Sequence, residues 1–253
     1  TDRSRGLGDV YKRQVYVVGM GPGSQEQMTE KAREVFASCE VIAGYTVYVE
    51  LLKEAYPGAE YITTPMRQEV ERCRLAFESA AEGKTTAMVC SGDAGIYGMA
   101  GLMYEVGEEY PQVEIEVVPG VTAALGGAAV LGAPLGHDLC IISLSDLLTP
   151  WETIEKRLLS AAAADFVICL YNPASRKRKD YLKKACEILM NHKPADTVCG
   201  IVRNIAREGE SFQILTLGEL KDAEADMFST VYVGNHETKV IRGRMVTPRG
   251  YQL

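Results

Sequence analysis

From Val15 to about Leu131 the chain alternates short β-branched runs with stretches of helical period. The runs are Val15 to Val18, Val41 to Ala43, Tyr61 to Thr63, Thr86 to Ser91 and Ile115 to Val118. This alternation predicts an α/β domain whose sheet is largely parallel. The first helix is well marked, because Thr29 is placed to cap it and Ala32, Val35, Phe36 and Cys39 recur at i, i+3, i+4 and i+7. That face is expected to pack on the sheet. An alanine- and glycine-rich helix then ends at Gly132-Ala133-Pro134-Leu135-Gly136, which breaks the periodicity and is the best candidate for a domain boundary. A second α/β unit is expected beyond it. Its predicted strands are Leu139 to Ser143, Phe166 to Tyr171, Thr197 to Val202, Phe212 to Thr216 and Thr230 to Val233, with helices near 151–163 and 178–191. The expected domains are therefore 15–131 and 132–253, and no short repeat disturbs that division.

Composition narrows the class. A chain of 253 residues can bury a substantial core as one large α/β domain or two smaller ones. Residues 1–14 are polar and glycine-bearing with no initiator methionine, and they read as an appended, non-native arm. No run of eighteen apolar residues and no secretory pattern is visible, so a cytoplasmic protein with no membrane partner is expected. Seven scattered cysteines, at 39, 73, 90, 140, 169, 186 and 199, include no C-x-x-C pair and suggest buried small hydrophobes, not a disulfide framework. A net charge of -7 gives no global attraction to nucleic acid or anionic membrane.

Three glycine-bearing segments carry candidate chemistry. Gly19-Met20-Gly21-Pro22-Gly23 follows the first predicted strand, where glycines let backbone approach a ligand or simply form a tight turn. It is not a dinucleotide fingerprint, because Ser24 stands where the third glycine belongs and Pro22 removes an amide from the pyrophosphate cradle. A nicotinamide oxidoreductase is excluded on that ground. Gly83-Lys84-Thr85 resembles the end of a P-loop, yet Glu78 replaces the required glycine and a strand follows in place of a helix, so it reads as a turn. Ser91-Gly92-Asp93-Ala94-Gly95-Ile96-Tyr97-Gly98 ends a predicted strand, the edge where open parallel sheets place ligands. Asp93 there is suited either to a cationic group or to ordering the turn.

Joined to Val118-Pro119-Gly120-Val121-Thr122-Ala123-Ala124, that last segment resembles the cofactor-binding signature of the tetrapyrrole methylases, as does Val18-Gly19-Met20-Gly21-Pro22-Gly23. Within that family the carbon-17 branch is the one resembled. The matching segments are Gly44-Tyr45-Thr46-Val47-Tyr48, the blocks 132–138 and 143–151, Leu170-Tyr171-Asn172-Pro173, Val202-Arg203-Asn204 and Thr247-Pro248-Arg249-Gly250-Tyr251. The likeness spans Val15 to Leu253, with one departure at His236, where a small hydroxyl residue is expected. It implies a two-domain class III methyltransferase fold with the cofactor in the cleft between domains, and a homodimer. It implies S-adenosylmethionine as cofactor, contacted by Pro22, Gly92, Asp93, Ala94, Ile96, Tyr97, Thr122, Ala123, Tyr171 and Asn204. It also implies methylation of precorrin-3B or cobalt-factor III at carbon 17, coupled to contraction of the macrocycle. Gly21 and Tyr45, inside matching motifs, are expected to face the substrate.

Acid–base and rim residues complete the expectation. His137-Asp138 is either a proton-transfer pair or a hinge pair, histidine being suited to proton transfer near neutral pH. Asp146, Ser143 and Ser145 either meet polar groups of the substrate or start the helix carrying Trp151. The candidate acid–base residues are thus His137, Asp138 and Asp146, with Ser143 and Ser145 as substrate contacts. Arg176, Lys177, Arg178, Lys179, Lys183 and Lys184 form a basic run that is ordinarily a solvated helix face. A tetrapyrrole rimmed with acetates and propionates gives Arg176 and Arg178 a carboxylate-binding role instead. A methyltransferase of the same fold acting on a different precorrin carbon is one alternative, the same run keeps an RNA-methylating relative as a minor one although no nucleic-acid partner is expected, and a non-catalytic tetrapyrrole carrier is the alternative from another class. His192 reads as a helix end, and no metal-ligand spacing is found.

Overall fold

The computed structural model describes residues 13–175 and 179–252. They form two compact units, one ending at Thr122 and the other beginning at Ala123.

The first unit alternates strand and helix throughout. It runs β1 (Gln14–Gly19), α1 (Glu30–Ser38), β2 (Val41–Tyr45), α2 (Thr46–Lys53), β3 (Glu60–Thr64), α3 (Glu69–Ala81), β4 (Thr86–Cys90), α4 (Ala100–Gly107) and β5 (Glu114–Val118). The strands lie in the order β3-β2-β4-β1-β5 and all pair in parallel, as the alternation predicted. Thr29 caps α1 by accepting from the Ala32 amide at 3.2 Å. Ala32, Val35 and Phe36 then pack with Ile42, Val49, Leu52 and Val89 on one face of the sheet. Cys73, Ala76, Phe77, Met88, Met103 and Val106 fill the other face, so α3 and α4 lie opposite α1 and α2. The strand order also fixes where a ligand can sit. From β1 the chain passes over β4 to reach β2, and from β4 it passes over β1 to reach β5. The connections of the neighbours β1 and β4 leave in opposite directions, which opens a crevice at their carboxyl ends.

The second unit contains α5 (Ala123–Leu131), β6 (Gly132–Ala133), β7 (Leu139–Ser143), α6 (Trp151–Ala163), β8 (Val167–Tyr171), α7 (Tyr181–Leu189) and β9 (Val198–Arg203). It continues with β10 (Ser211–Thr216), α8 (Leu217–Leu220), β11 (Ser229–Val233), β12 (Lys239–Ile241) and β13 (Arg244–Val246). Its main sheet has the order β10-β9-β11-β8-β7. Helices α6, α7 and α8 bury Ile154, Leu158, Leu182, Leu189, Leu217 and Leu220 on one face. Helix α5 covers the other face with Ala124, Ala128 and Leu131 against Cys169, Val202 and Tyr232.

Two expectations are corrected, and the strand directions of the second unit, left open by the sequence, are resolved. The division falls at the start of α5, not at Gly132, because the apolar side of α5 packs on the second sheet. In the main sheet of the second unit β7 and β8 pair in parallel, while β8–β11, β11–β9 and β9–β10 are antiparallel. Residues 204–210, which join β9 to β10, are too few for the dozen-residue crossover that parallel pairing needs. The stretch read as a bare interruption is partly strand: β6 pairs with β13 in a small sheet with β12, and Thr247 Oγ1 donates to the Pro134 carbonyl at 2.6 Å.

Candidate functional site

At the crevice of the first unit, three loops meet backbone to backbone. Beyond β1 and β4 the Met20 amide donates to the Cys90 carbonyl at 2.9 Å, and Gly21 and Gly92 then exchange both amide–carbonyl hydrogen bonds, at 3.0 and 2.8 Å. Both glycines have positive φ, +78° and +68°, which a side chain would resist. Gly120, after β5, closes the junction: a Cβ there would stand 2.2 Å from the Gly92 carbonyl oxygen and 2.6 Å from that of Gly19. Gly19, Gly92 and Gly120 come one from each of the three segments that carry the resemblance to the family's cofactor-binding signature.

Asp93 locks this arrangement. One carboxylate oxygen accepts from the amides of Gly95 at 2.8 Å and Ile96 at 3.2 Å, and the other accepts from the Gly120 amide at 2.9 Å. Of its two expected roles, Asp93 therefore takes the ordering one, since amides of its own turn and of the loop after β5 engage both oxygens. The turn leaves Ile96 and Tyr97 exposed, at 38% and 58%, with Tyr97 held at φ +55°. A bulky residue in that region is strained, and such strain gathers at ligand sites. Ala94 and Thr122 are buried.

In the second unit a separate set gathers at the carboxyl ends of β7, β8 and β9, which run in one direction. Ser143 is paired in register with Tyr171, and its Oγ accepts from the Asn172 side-chain amide at 2.9 Å and the Ser145 amide at 3.2 Å. Asp146 Oδ2 accepts from the Tyr181 hydroxyl at 2.6 Å. The Tyr171 hydroxyl accepts from the Ala124 amide at 2.7 Å, and the Tyr232 hydroxyl donates to the Ala123 carbonyl at 2.7 Å, fixing the start of α5. Asn172 and Asn204 both sit at positive φ, 53° and 49°, where each strand turns sharply away.

Residues 14–221 match the family of Tetrapyrrole (Corrin/Porphyrin) Methylases. The chain belongs to this family. Among the relatives of this methylase is the probable cobalt-factor III C(17)-methyltransferase of Salmonella typhimurium. It is 48% identical over 238 residues, which cover 94% of this chain and 99% of the relative. The precorrin-3B C(17)-methyltransferase of Sinorhizobium sp is 40% identical over 246 residues, covering 94% and 96%. The crystal structure of the methyltransferase CobJ superposes with a TM-score of 0.86 at 36% identity, covering 93% of this chain and 99% of that one.

For the methylase, the structure joins some expected site residues and parts others. Gly21, Pro22, Gly92, Asp93, Ala94, Ile96, Tyr97 and Thr122 all belong to the three loops at the crevice of the first unit. Tyr45 ends β2 at the same carboxyl edge. Ser143, Ser145, Asp146, Tyr171 and Asn204 share one edge of the second sheet. His137 and Asp138 do not join them, because they precede β7 and so occupy its opposite edge. There His137 Nε2 lies 3.2 Å from a Glu237 carboxylate oxygen, and Val167 donates its amide to the Asp138 carbonyl at 3.1 Å. The six residue-to-residue steps from His137 to Ser143 span roughly 20 Å of extended chain. Arg176 and Arg178 lie outside the described residues. The lysines that follow them look solvated, with Lys184 paired to Asp180 at 2.7 Å and Lys183 to Asp222 at 3.9 Å. Gly83 is a plain turn with φ +95°, as read. Sequence reasoning missed Tyr181, the partner of Asp146, whose only signal was an aromatic residue opening the helix after the basic run.

Proposed function

We propose that this protein transfers a methyl group from S-adenosylmethionine to carbon 17 of precorrin-3B or cobalt-factor III, with contraction of the macrocycle coupled to that transfer. The observation that carries the reading is the glycine junction clamped by Asp93, found in a chain 48% identical to a cobalt-factor III C(17)-methyltransferase across nearly all of both sequences. The residues fit such a cofactor: the Asp93 turn supplies a fixed backbone with no side chain at 92, 95 or 98, beside the exposed apolar surface of Ile96 and Tyr97.

The bound cofactor supplies a sulfonium methyl already activated for transfer. What remains for the chain is alignment, and holding two reactants in near-attack geometry is worth roughly 7–11 kcal/mol. The Gly21–Gly92 exchange and the Asp93 clamp give the rigidity this requires, since neither loop can shift without breaking several hydrogen bonds. Ring contraction needs protons moved at oxygen functions, and we assign that role to Asp146, which accepts from the Tyr181 hydroxyl at 2.6 Å on the edge that also carries Ser143 and Ser145. His137 and Asp138 are assigned to holding the amino edge of the second sheet. Assembly as a homodimer and a cytoplasmic location belong to the same proposal. Among the described residues no helix is long and apolar enough to cross a membrane.

The test is incubation with labelled S-adenosylmethionine and either tetrapyrrole, followed by mass analysis. A singly methylated product labelled at carbon 17 is expected. Label confined to another carbon, or no transfer to either tetrapyrrole, overturns the reading.

A further inference from the structure

Arg72, in the first turn of α3, is only 4% exposed. Its guanidinium folds back on the end of β3, where Nε donates to Thr64 Oγ1 at 2.9 Å and Nη2 to the carbonyls of Thr64 at 3.3 Å and Pro65 at 3.2 Å. All three acceptors are neutral. Among the described residues no carboxylate forms an ion pair with it, and nothing accepts from Nη1. The guanidinium carbon lies 5.9 Å from the centroid of the Tyr45 ring.

A buried guanidinium that merely held a strand end would be a costly choice, because its charge has left water without meeting an opposite charge. Carbonyls and a ring face offset part of that cost, and an anion would offset the rest. The location supplies the anion's origin. Tyr45 and Thr64 are register partners and the last residues of β2 and β3, so Arg72 lies at the carboxyl edge of the parallel sheet, the edge that also carries the glycine loops. Arginine presents its donors as a planar fork matched to a carboxylate, and here one side of the fork is spent on the protein while Nη1 is left over.

We propose that Arg72 is a receptor for a carboxylate of the substrate, with Nη1 donating to an acetate or propionate on the macrocycle rim and Tyr45 backing the guanidinium. This rests on the tetrapyrrole reading above. It adds a specificity-determining residue: the site would select the free acid over a neutral analogue of the same shape.

The test compares the binding of cobalt-factor III and of its carboxamide-blocked form by parent and Arg72→Gln protein, with S-adenosylhomocysteine binding and thermal unfolding as controls. The parent should prefer the acid. Arg72→Gln should weaken acid binding roughly 10- to 100-fold, leave the amide form and S-adenosylhomocysteine nearly unchanged, and raise KM far more than it lowers kcat. Arg72→Lys keeps the charge without the fork, so it should retain part of the preference, and it serves as the second measurement if the glutamine variant does not fold. A folded variant of either kind with the parental acid-to-amide ratio overturns the inference, as does an equal loss for both forms. A parent that binds neither tetrapyrrole overturns the functional reading itself, a failure distinct from parental discrimination that survives the substitution.

Discussion

Asp93 reaches across twenty-seven positions of sequence to accept the Gly120 amide at 2.9 Å, so the loops after β4 and β5 are joined by one carboxylate. The same group orders its own turn through Gly95 and Ile96. Asp93→Ala removes the acceptor for all three amides. Hydrogen bonds to a charged acceptor contribute about 1.5–3 kcal/mol each, and exposed amides recover part of that from water. We expect a lowered melting temperature and at least a tenfold loss of S-adenosylhomocysteine affinity by calorimetry. Asp93→Asn, with one carbonyl oxygen in place of two carboxylate oxygens, should fall between. Parental affinity in a folded Asp93→Ala protein would show that the clamp does not shape the cofactor site.

Two glycines separate steric from conformational demand. At Gly120 a Cβ would strike carbonyl oxygens at 2.2 and 2.6 Å, so Gly120→Ala must push three backbones apart. The cost should reach about 1–3 kcal/mol, as for overpacking elsewhere. Cofactor binding should fall with it. Gly83 has φ +95° with nothing within 4 Å, so Gly83→Ala carries only the strain of a left-handed backbone and should leave binding alone. Gly92→Val combines positive φ with a branched side chain at the proposed site and should weaken binding by more than tenfold, on the order of 1.4 kcal/mol or more. Chemical denaturation and titration of the three variants read these differences directly.

Much of this was legible in the sequence, and the reasons are physical. Strands β1, β2 and β4 stood out because both faces of the sheet are covered over them, which makes short continuous apolar runs such as Val15 to Val18. Thr29 was readable as a cap because its hydroxyl acts within one turn. Strand direction in the second unit was not readable from periodicity, although the short link 204–210 would have shown that β9 and β10 form a hairpin. The boundary was misplaced because α5 is apolar nearly all round, so its composition does not say which sheet it covers. Motif residues such as Gly92 and Gly120 were visible, but their contact was not, nor was the buried Arg72, which looks like any charge in a helical pattern.

The cysteines test how closed the interior is. Six of the seven are buried, and burial pushes Cys39, Cys90 and Cys186 up to about 12 and Cys73 and Cys140 to about 11, with Cys169 and Cys199 raised as well. Thiolate is the reactive form, so at pH 8 native thiols should react with a disulfide reagent far more slowly than a free cysteine. Cys140, the partly exposed one, should be first. Addition of guanidinium chloride should release all seven. A fast-reacting native thiol in the other six would contradict the packing.

Asp165 predicts an acid limb of stability. It accepts from Lys193 Nζ at 3.0 Å and from the backbone amide of His236, whose ring Nδ1 also contacts it. Burial is the largest single influence and raises its pKa. The hydrogen bonds from the His236 ring, Lys193 and the His236 amide, with the charge of Lys193, together outweigh it and hold the carboxyl below its usual 3.8. A depressed folded pKa means the contribution is complete above the unfolded value and is lost as pH falls through the folded one. Asp165→Asn strands the Lys193 ammonium, whose side chain is 2% exposed, and should cost about 1–3 kcal/mol at pH 7, less than for a fully buried pair because Asp165 is 37% exposed. Parent and variant should converge as pH falls through the depressed folded value, where the parent's own carboxyl protonates and leaves Lys193, still bonded to the Gly234 carbonyl at 2.9 Å, equally without its counter-charge. A gap that stays constant from pH 7 to pH 3 would refute this account of Asp165.

Asp146 and His137 lie at opposite edges of the second sheet, and this decides which should matter for proton transfer. Asp146 accepts a 2.6 Å hydrogen bond from Tyr181 and stands beside Ser143 and Ser145, whereas His137 lies against Glu237 at the amino end of β7. Asp146→Asn keeps shape but cannot take up a proton, and Tyr181→Phe removes the hydroxyl that orients it. We expect Asp146→Asn to lower turnover roughly 100-fold or more, the usual worth of an acid–base group, with little change in cofactor affinity. Contraction should suffer more than methylation, so a methylated, uncontracted macrocycle should accumulate and be visible by mass and absorption. Tyr181→Phe should show a smaller defect of the same kind. His137→Gln should instead reduce stability slightly, through its Glu237 contact, and leave the product distribution unchanged. If His137→Gln blocks contraction while Asp146→Asn does not, the assignment is reversed, and the amino edge of β7 must reach the substrate.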